Sequence, residues 1–157
     1  MASTASHTIV LWSNNQDNMM QRVRQAPCKT GVTITPGMLI APDTGGVVKP
    51  HASAGANAPR WVAIENPWSD HGNGLAIDHA YAAGETVFYI IAQPGDQLHM
   101  FLEDEGNVAA WAALESNGAG ALQALAGAAV DGLVAYAAEA VNNTGGSGNV
   151  RIRVDIA

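Results

Sequence analysis

At 157 residues, with a formal charge of −7 and a pI near 4.9, the chain suits one domain, long enough to bury roughly 70% of its unfolded surface without cross-links. The acidic balance argues against nucleic acid and against an anionic membrane surface as partners, since both are held by clustered Lys and Arg. A single cysteine, Cys28, rules out an internal disulfide.

The opening Met-Ala-Ser-Thr-Ala-Ser-His has no basic region followed by an apolar one, so no secretory signal is expected. Residues 1–31 carry a net +2 from Arg22, Arg24 and Lys29 against Asp17, whereas the remainder carries −9. Thr8 to Trp12 predicts a strand, followed by a polar run of turn formers from Ser13 to Asn18. Met19 to Gln25 alternates weakly. It is either a surface strand with solvated arginines or an arm that docks on an acidic partner.

From Gly31 onward, short strands are separated by glycine and proline, the texture of a barrel or sandwich. Strands are expected over Met38–Ala41, Val47–Lys49 and Arg60–Glu65, with an excursion from Trp68 to Ile77. Three segments, Pro36-Gly37, Ala83-Gly84 and Pro94-Gly95, place a small residue or proline and a glycine just before a strand. They read as one repeated barrel corner.

Between the last two corners, Thr86 to Ala92 is apolar in both alternating sets, Val87/Tyr89/Ile91 and Phe88/Ile90. This predicts a strand buried on both faces. Pro94-Gly95-Asp96 reverses the chain, and Leu98, Met100 and Leu102 resume the alternation, so the pair reads as a hairpin. Asn107 to Leu114 fits either a short capped helix or a strand. The Ala-rich run from 119 to 141 contains Gln123, Asp131, Glu139 and three glycines, which disqualify it as a membrane span. Leu133–Val141 and Asn149–Ala157 predict a closing hairpin around a glycine-rich loop. Val150, Ile152, Val154 and Ile156 should face its core.

Chemistry-bearing motifs are sparse. His7, His51, His71, His79 and His99 show no metal-ligand spacing, no serine sits in a Gly-x-Ser-x-Gly elbow, and Glu103-Asp104-Glu105 reads as a solvated charge run. No catalytic residues, metal ligands or cofactors are expected. Gly74 to Glu85, with Ile77-Asp78, Tyr81 and Gly84-Glu85, resembles the nucleoside-binding motif of trimeric dUTPases, which would make Asp78 a water activator and Tyr81 a sugar-stacking residue. The segment carries one extra residue before Ile77 and another after Tyr81, and no Arg-Ser-Gly follows elsewhere.

Taken in order from Val32, the corner Pro-Gly-Met-Leu-Ile, the Gly-Gly-Val-Val strand, Ala-Ala-Gly-Glu-Thr-Val, Pro-Gly-Asp-Gln-Leu-His-Met-Phe-Leu, Ser-Asn-Gly-Ala-Gly-Ala-Leu and Val-Arg-Ile-Arg-Val together resemble the capsid decoration, or cement, proteins of tailed bacteriophages. The resemblance covers about residues 31–157. It implies a mainly β fold: a small β-barrel or β-tulip-like domain of short antiparallel strands over 31–157, at most one short helix, and an N-terminal arm with the first strand or strands over 1–30. It also implies a homotrimer made in the host cytoplasm that sits on the outer surface of the virion and stabilises the capsid by cementing adjacent major capsid proteins.

On that basis Trp12, Arg22, Arg24 and Lys29 are candidate capsid contacts. Tyr89, Ile91, Leu98 and Met100 are candidates for the trimer interface. Two other expectations stand beside it: a dUTPase-like nucleotide hydrolase and a carbohydrate- or receptor-binding β module.

Overall fold

A computed structural model describes residues 8–12, 19–68, 74–127 and 130–157. The fold is mainly β and contains a closed five-stranded barrel. Its strands are β1 (Val10–Trp12), β2 (Val23–Pro27), β3 (Leu39–Asp43), β4 (Val47–Pro50), β5 (Trp61–Ala63), β6 (Thr86–Ile91), β7 (Gln97–Leu102), β8 (Asn107–Val108), β9 (Ala113–Ser116), β10 (Leu122–Ala124), β11 (Leu133–Ala137), β12 (Val141–Asn142) and β13 (Val150–Ile156). One four-residue helix, α1 (Met19–Arg22), precedes β2.

The barrel runs β7-β10-β9-β11-β13 and closes by pairing β13 with β7. That closure is long, from Val150↔Leu102 to Asp155↔Gln97. All its pairings are antiparallel except β10 with β7. β1 lies against the free end of β7, with Val10 opposite Leu98. A second sheet, β2-β6-β5-β3-β4, curls until Cys28 bridges Val48, so it nearly closes as well.

The closing hairpin is as the alternation predicts: Ala135 to Ala137 pair with Ile156 to Val154, and Ile152, Val154 and Ile156 are buried. One apolar cluster fills the barrel with Leu98, Met100, Leu102, Leu114, Leu122 and Ile152 and continues to Leu39, Val62 and Ile90 on one face of the second sheet. The other face of that sheet packs Ile40, Ala63, Val87 and Tyr89 with Ile34 and Tyr81. β6 is therefore buried from both sides, as its doubly apolar pattern requires. Each fully buried leucine or isoleucine here contributes about 1.5–3 kcal/mol.

The repeated corners are real. Gly37, Gly84 and Gly95 all take positive φ, at 98°, 82° and 91°, two residues before β3, β6 and β7. At Gly37 space is tight as well, because a Cβ would stand 3.2 Å from the His99 carbonyl and would have to push it back.

Two expectations change and one open choice is resolved. β6 and β7 do not form a hairpin: β6 pairs with β2 and β5, β7 with β1, β10 and β13. The Pro94-Gly95-Asp96 turn is a corner between sheets, where Asp96 accepts from the Gln93 amide and its own carbonyl accepts from the Ile156 amide. Of the helix and the strand left open for Asn107 to Leu114, the structure has strand, with β8 and β9 on either side of a turn. Residues 19–27 form α1 and β2 rather than one strand, and β2 is integral to the second sheet. Ser13–Asn18 lies outside the described residues.

Candidate functional site

The segment from Thr8 to Lys29 joins both sheets, and its polar side chains show how. Thr8 Oγ1 donates to Glu65 Oε1 at 2.5 Å, and the Ile9 amide donates to Glu65 Oε2 at 3.1 Å. Arg22 grips Asp96 with both terminal nitrogens, at 2.5 and 3.3 Å, and the two residues are 8% and 0% exposed. Arg22 is thus an interior tie between α1 and the corner before β7. As a candidate capsid contact it is corrected: its charge is consumed inside the chain.

Arg24 is exposed and donates to the carbonyls of Gln21 and Val23. Lys29 lies 2.6 Å from Asp43, which Lys49 approaches at 3.3 Å. The Lys29 hydrogen bond, with help from the Thr44 amide, holds the Asp43 carboxyl down at about 2. Trp12, at the exposed end of β1, is 49% exposed.

Beside β1 lies an apolar cleft of about 190 Å³, lined by Thr8, Val10, Val23, Ile64, Glu65, Pro67, Trp68, Phe88 and Ile90. Trp68 leans on Phe88 with ring centroids 5.2 Å apart yet is 73% exposed. A third exposed indole sits on the barrel: Trp111, 70% exposed, has φ +68° and donates its amide to the Ala137 carbonyl at 2.7 Å. A bulky residue in left-handed backbone is strained by about 1–2 kcal/mol, and the Ala137 bond pins it there. No periodicity signals this position, because left-handed backbone outside glycine leaves no pattern in the sequence.

The four trimer-interface candidates are mostly interior. Leu98 and Met100 are fully buried inside the barrel, so neither has surface to offer a second copy. Tyr89 is buried and stacks on Trp61 with centroids 5.0 Å apart; Ile91 is partly buried against the second core. The alternation that singled out Leu98 and Met100 reports the barrel's own core.

The dUTPase-like motif is dispersed. Tyr81 is buried, donates its hydroxyl to the Ile64 carbonyl at 2.7 Å and has its phenol pushed up by burial, so its ring is not free to stack on a sugar. Asp78 is exposed but pairs with Arg151 at 2.5 Å. Arg151 also bonds the Pro36 and Ile77 carbonyls and lies 4.6 Å over the Phe101 ring.

The acidic run is structural. Asp104 accepts from the Gly148 amide and Glu105 from the Gly145 amide, so these carboxylates hold the glycine-rich loop before β13. His51 Nδ1 lies 2.7 Å from Ser116 Oγ, but Ser116 is fully buried, and burial lowers the imidazole's proton affinity. Cys28 is buried and its thiol is pushed up by burial and by the Glu85 charge. His7, Asp70 and His71 lie outside the described residues.

Among the described residues no group of three or more His, Cys, Asp or Glu side chains is placed to hold a metal ion, and no helix is long and apolar enough to cross a membrane. What the geometry does assemble is a rigid β frame carrying exposed indoles at Trp12, Trp68 and Trp111. No protein-family model matches the chain, and no curated protein matches it.

Proposed function

We propose that the chain is a structural virion protein that binds the outside of a tailed-bacteriophage capsid as a trimer and cements adjacent major capsid proteins. The order of corners and strands from Val32 onward supplies the family likeness. The single observation that supports a holding role is Trp111, a large apolar side chain kept in solvent by strained backbone on a closed barrel. Strain of this kind persists where a contact uses it, and exposed tryptophans on rigid frames are the commonest anchors of protein interfaces. Trp68, which lines the apolar cleft, and Trp12, at the exposed end of β1, add two further anchors.

The capsid contacts are then apolar anchors aided by Arg24 and Lys29, with Arg22 serving the fold. A nucleotide hydrolase is the weaker alternative because Tyr81 and Asp78 are engaged elsewhere. A carbohydrate- or receptor-binding module uses the same indoles and differs in what it captures.

The test is cosedimentation with expanded capsids together with molar mass by light scattering. Deleting residues 1–30 is a poor probe, since it removes β1, β2 and Arg22 from the fold. Trp111→Ala and Trp68→Ala are better, each expected to weaken capsid binding by tenfold or more with the fold intact. A monomer that stays in the supernatant when the capsids pellet overturns the proposal.

A further inference from the structure

The N-terminal strand is clamped between two titratable side chains. Glu65 accepts from Thr8 Oγ1 and from the Ile9 amide. From the opposite side, His99 Nδ1 lies 3.2 Å from the Thr8 carbonyl, and the His99 amide donates to the Ile9 carbonyl at 2.8 Å. A carbonyl only accepts, so the geometry assigns the neutral ring's proton to Nδ1 and its lone pair to Nε2. That Nε2 is buried, in a residue 1% exposed, and among the described residues no hydrogen-bond partner meets it.

The charges facing this ring come from every neighbouring element. Arg153 stands opposite His99 across β7 and β13, with Arg151 further along the same strand and Asp155 bound by Gln97. Glu139, beyond β11, accepts from the Arg153 amide and pairs with its guanidinium at 3.4 Å. Glu65 lies across the N-terminal strand.

We propose that β1 is an acid-released clip: protonation of His99 detaches Thr8–Trp12 from β7 while the closed barrel stays folded.

A second proton places an N–H at Nε2 where no acceptor meets it, in a buried ring near two guanidinium groups. The least costly relief is to peel away the strand that covers the ring, because β1 pairs with β7 only around Val10 and Trp12 whereas β13 pairs along its whole length. Burial, reinforced by Arg153 and Arg151 and opposed by the Thr8 bond and Glu139, keeps the imidazole below its ordinary 6.5. The clip is therefore shut at neutral pH and opens in mild acid. Opening uncovers the seat of Ile9 and widens the apolar cleft that Thr8 and Val10 line.

Hydrogen exchange of the full chain, resolved at residues 9–12 and corrected for intrinsic rates, reads the clip directly. Between pH 7.5 and 5 the protection of Ile9–Trp12 should fall at least tenfold while that of β13 holds. In His99→Gln, which keeps a donor near Thr8 but does not titrate, protection should no longer change with pH. His51→Gln should open as the unaltered chain does.

Protection of β1 that does not change with pH overturns the proposal, as does loss of β1 and β13 together or a pH response retained in His99→Gln. Should His99→Gln fail to fold, nitrogen NMR of the unaltered chain decides. An Nδ1–H tautomer at pH 7.5 that titrates in step with the exposure of Trp12 supports the clip. An Nε2–H tautomer, or a ring that titrates without opening, overturns it.

Discussion

The closed barrel and the second sheet solve the same problem by different physics. The barrel has no free edge among its five strands, and its interior from Leu98 to Ile152 is apolar throughout. The second sheet closes only through the Cys28–Val48 bridge; it shares the barrel's apolar cluster through Leu39, Val62 and Ile90, but it also depends on polar ties, Arg22 to Asp96 and Thr8 to Glu65 outward and Lys29 to Asp43 within the sheet. The barrel's stability should therefore respond to volume and little to pH or salt. The second sheet and the segment that enters it should respond to both.

The sharpest way to break this contrast is at Asp96. Asp96→Ala leaves the Arg22 guanidinium buried without that carboxylate, and urea unfolding should show a loss of about 3–5 kcal/mol. Next comes the barrel: Leu122→Ala removes a fully buried side chain and should cost about 2–5 kcal/mol, with the same value at pH 7.5 and 5.5.

Trp111→Gly should act in the opposite sense, raising stability by about 1 kcal/mol in the same measurement because glycine accepts φ +68° without strain, while capsid binding falls. A loss of stability there would show that the indole packs on the barrel rather than serving a partner.

Acid sharpens the comparison further. His51 and His99 both have proton affinities lowered by burial, so the unfolded chain binds more protons below pH 6.5. Their contribution is complete above 6.5 and declines as the pH falls beneath it, which denaturant titrations across pH 7.5 to 5 should record. The smallest effect belongs to Asp43, which is depressed to about 2: its contribution is present above the usual carboxylate value and fades as the pH falls through about 2. Asp43→Asn should erase that shallow late slope together with the small contribution that the carboxylate makes at neutral pH.

Much of this frame is legible in the amino acids. Val150, Ile152, Val154 and Ile156 announce β13 because a half-buried strand must alternate, and Pro36-Gly37 marks a corner because only glycine tolerates that φ beside the His99 carbonyl. The partners of the strands are not legible. Pro94-Gly95-Asp96 looks the same locally whether it closes a hairpin or turns the chain from one sheet into another. What distinguishes them is Arg22, 74 residues away.

The same blindness affects the proposed contacts. Arg22 and Arg24 sit two apart in a basic stretch, yet one is buried and the other is solvated. Leu98 and Met100 are apolar for the barrel's own sake, whereas the exposed indole of Trp111 depends on a backbone conformation that no spacing betrays.

The position of β7 has one more consequence, for the order in which the molecule forms. Besides β10, its neighbours are β1, among the earliest residues described, and β13, among the latest. Loop-closure entropy must be overcome before either contact rewards it, so the barrel cannot seal during synthesis until β13 has left the ribosome. Until then Leu98, Met100 and Leu102 lack their β13 partners. Folding should be slow for a chain of this size, and a chain shortened before Val150 should aggregate rather than persist as a smaller barrel.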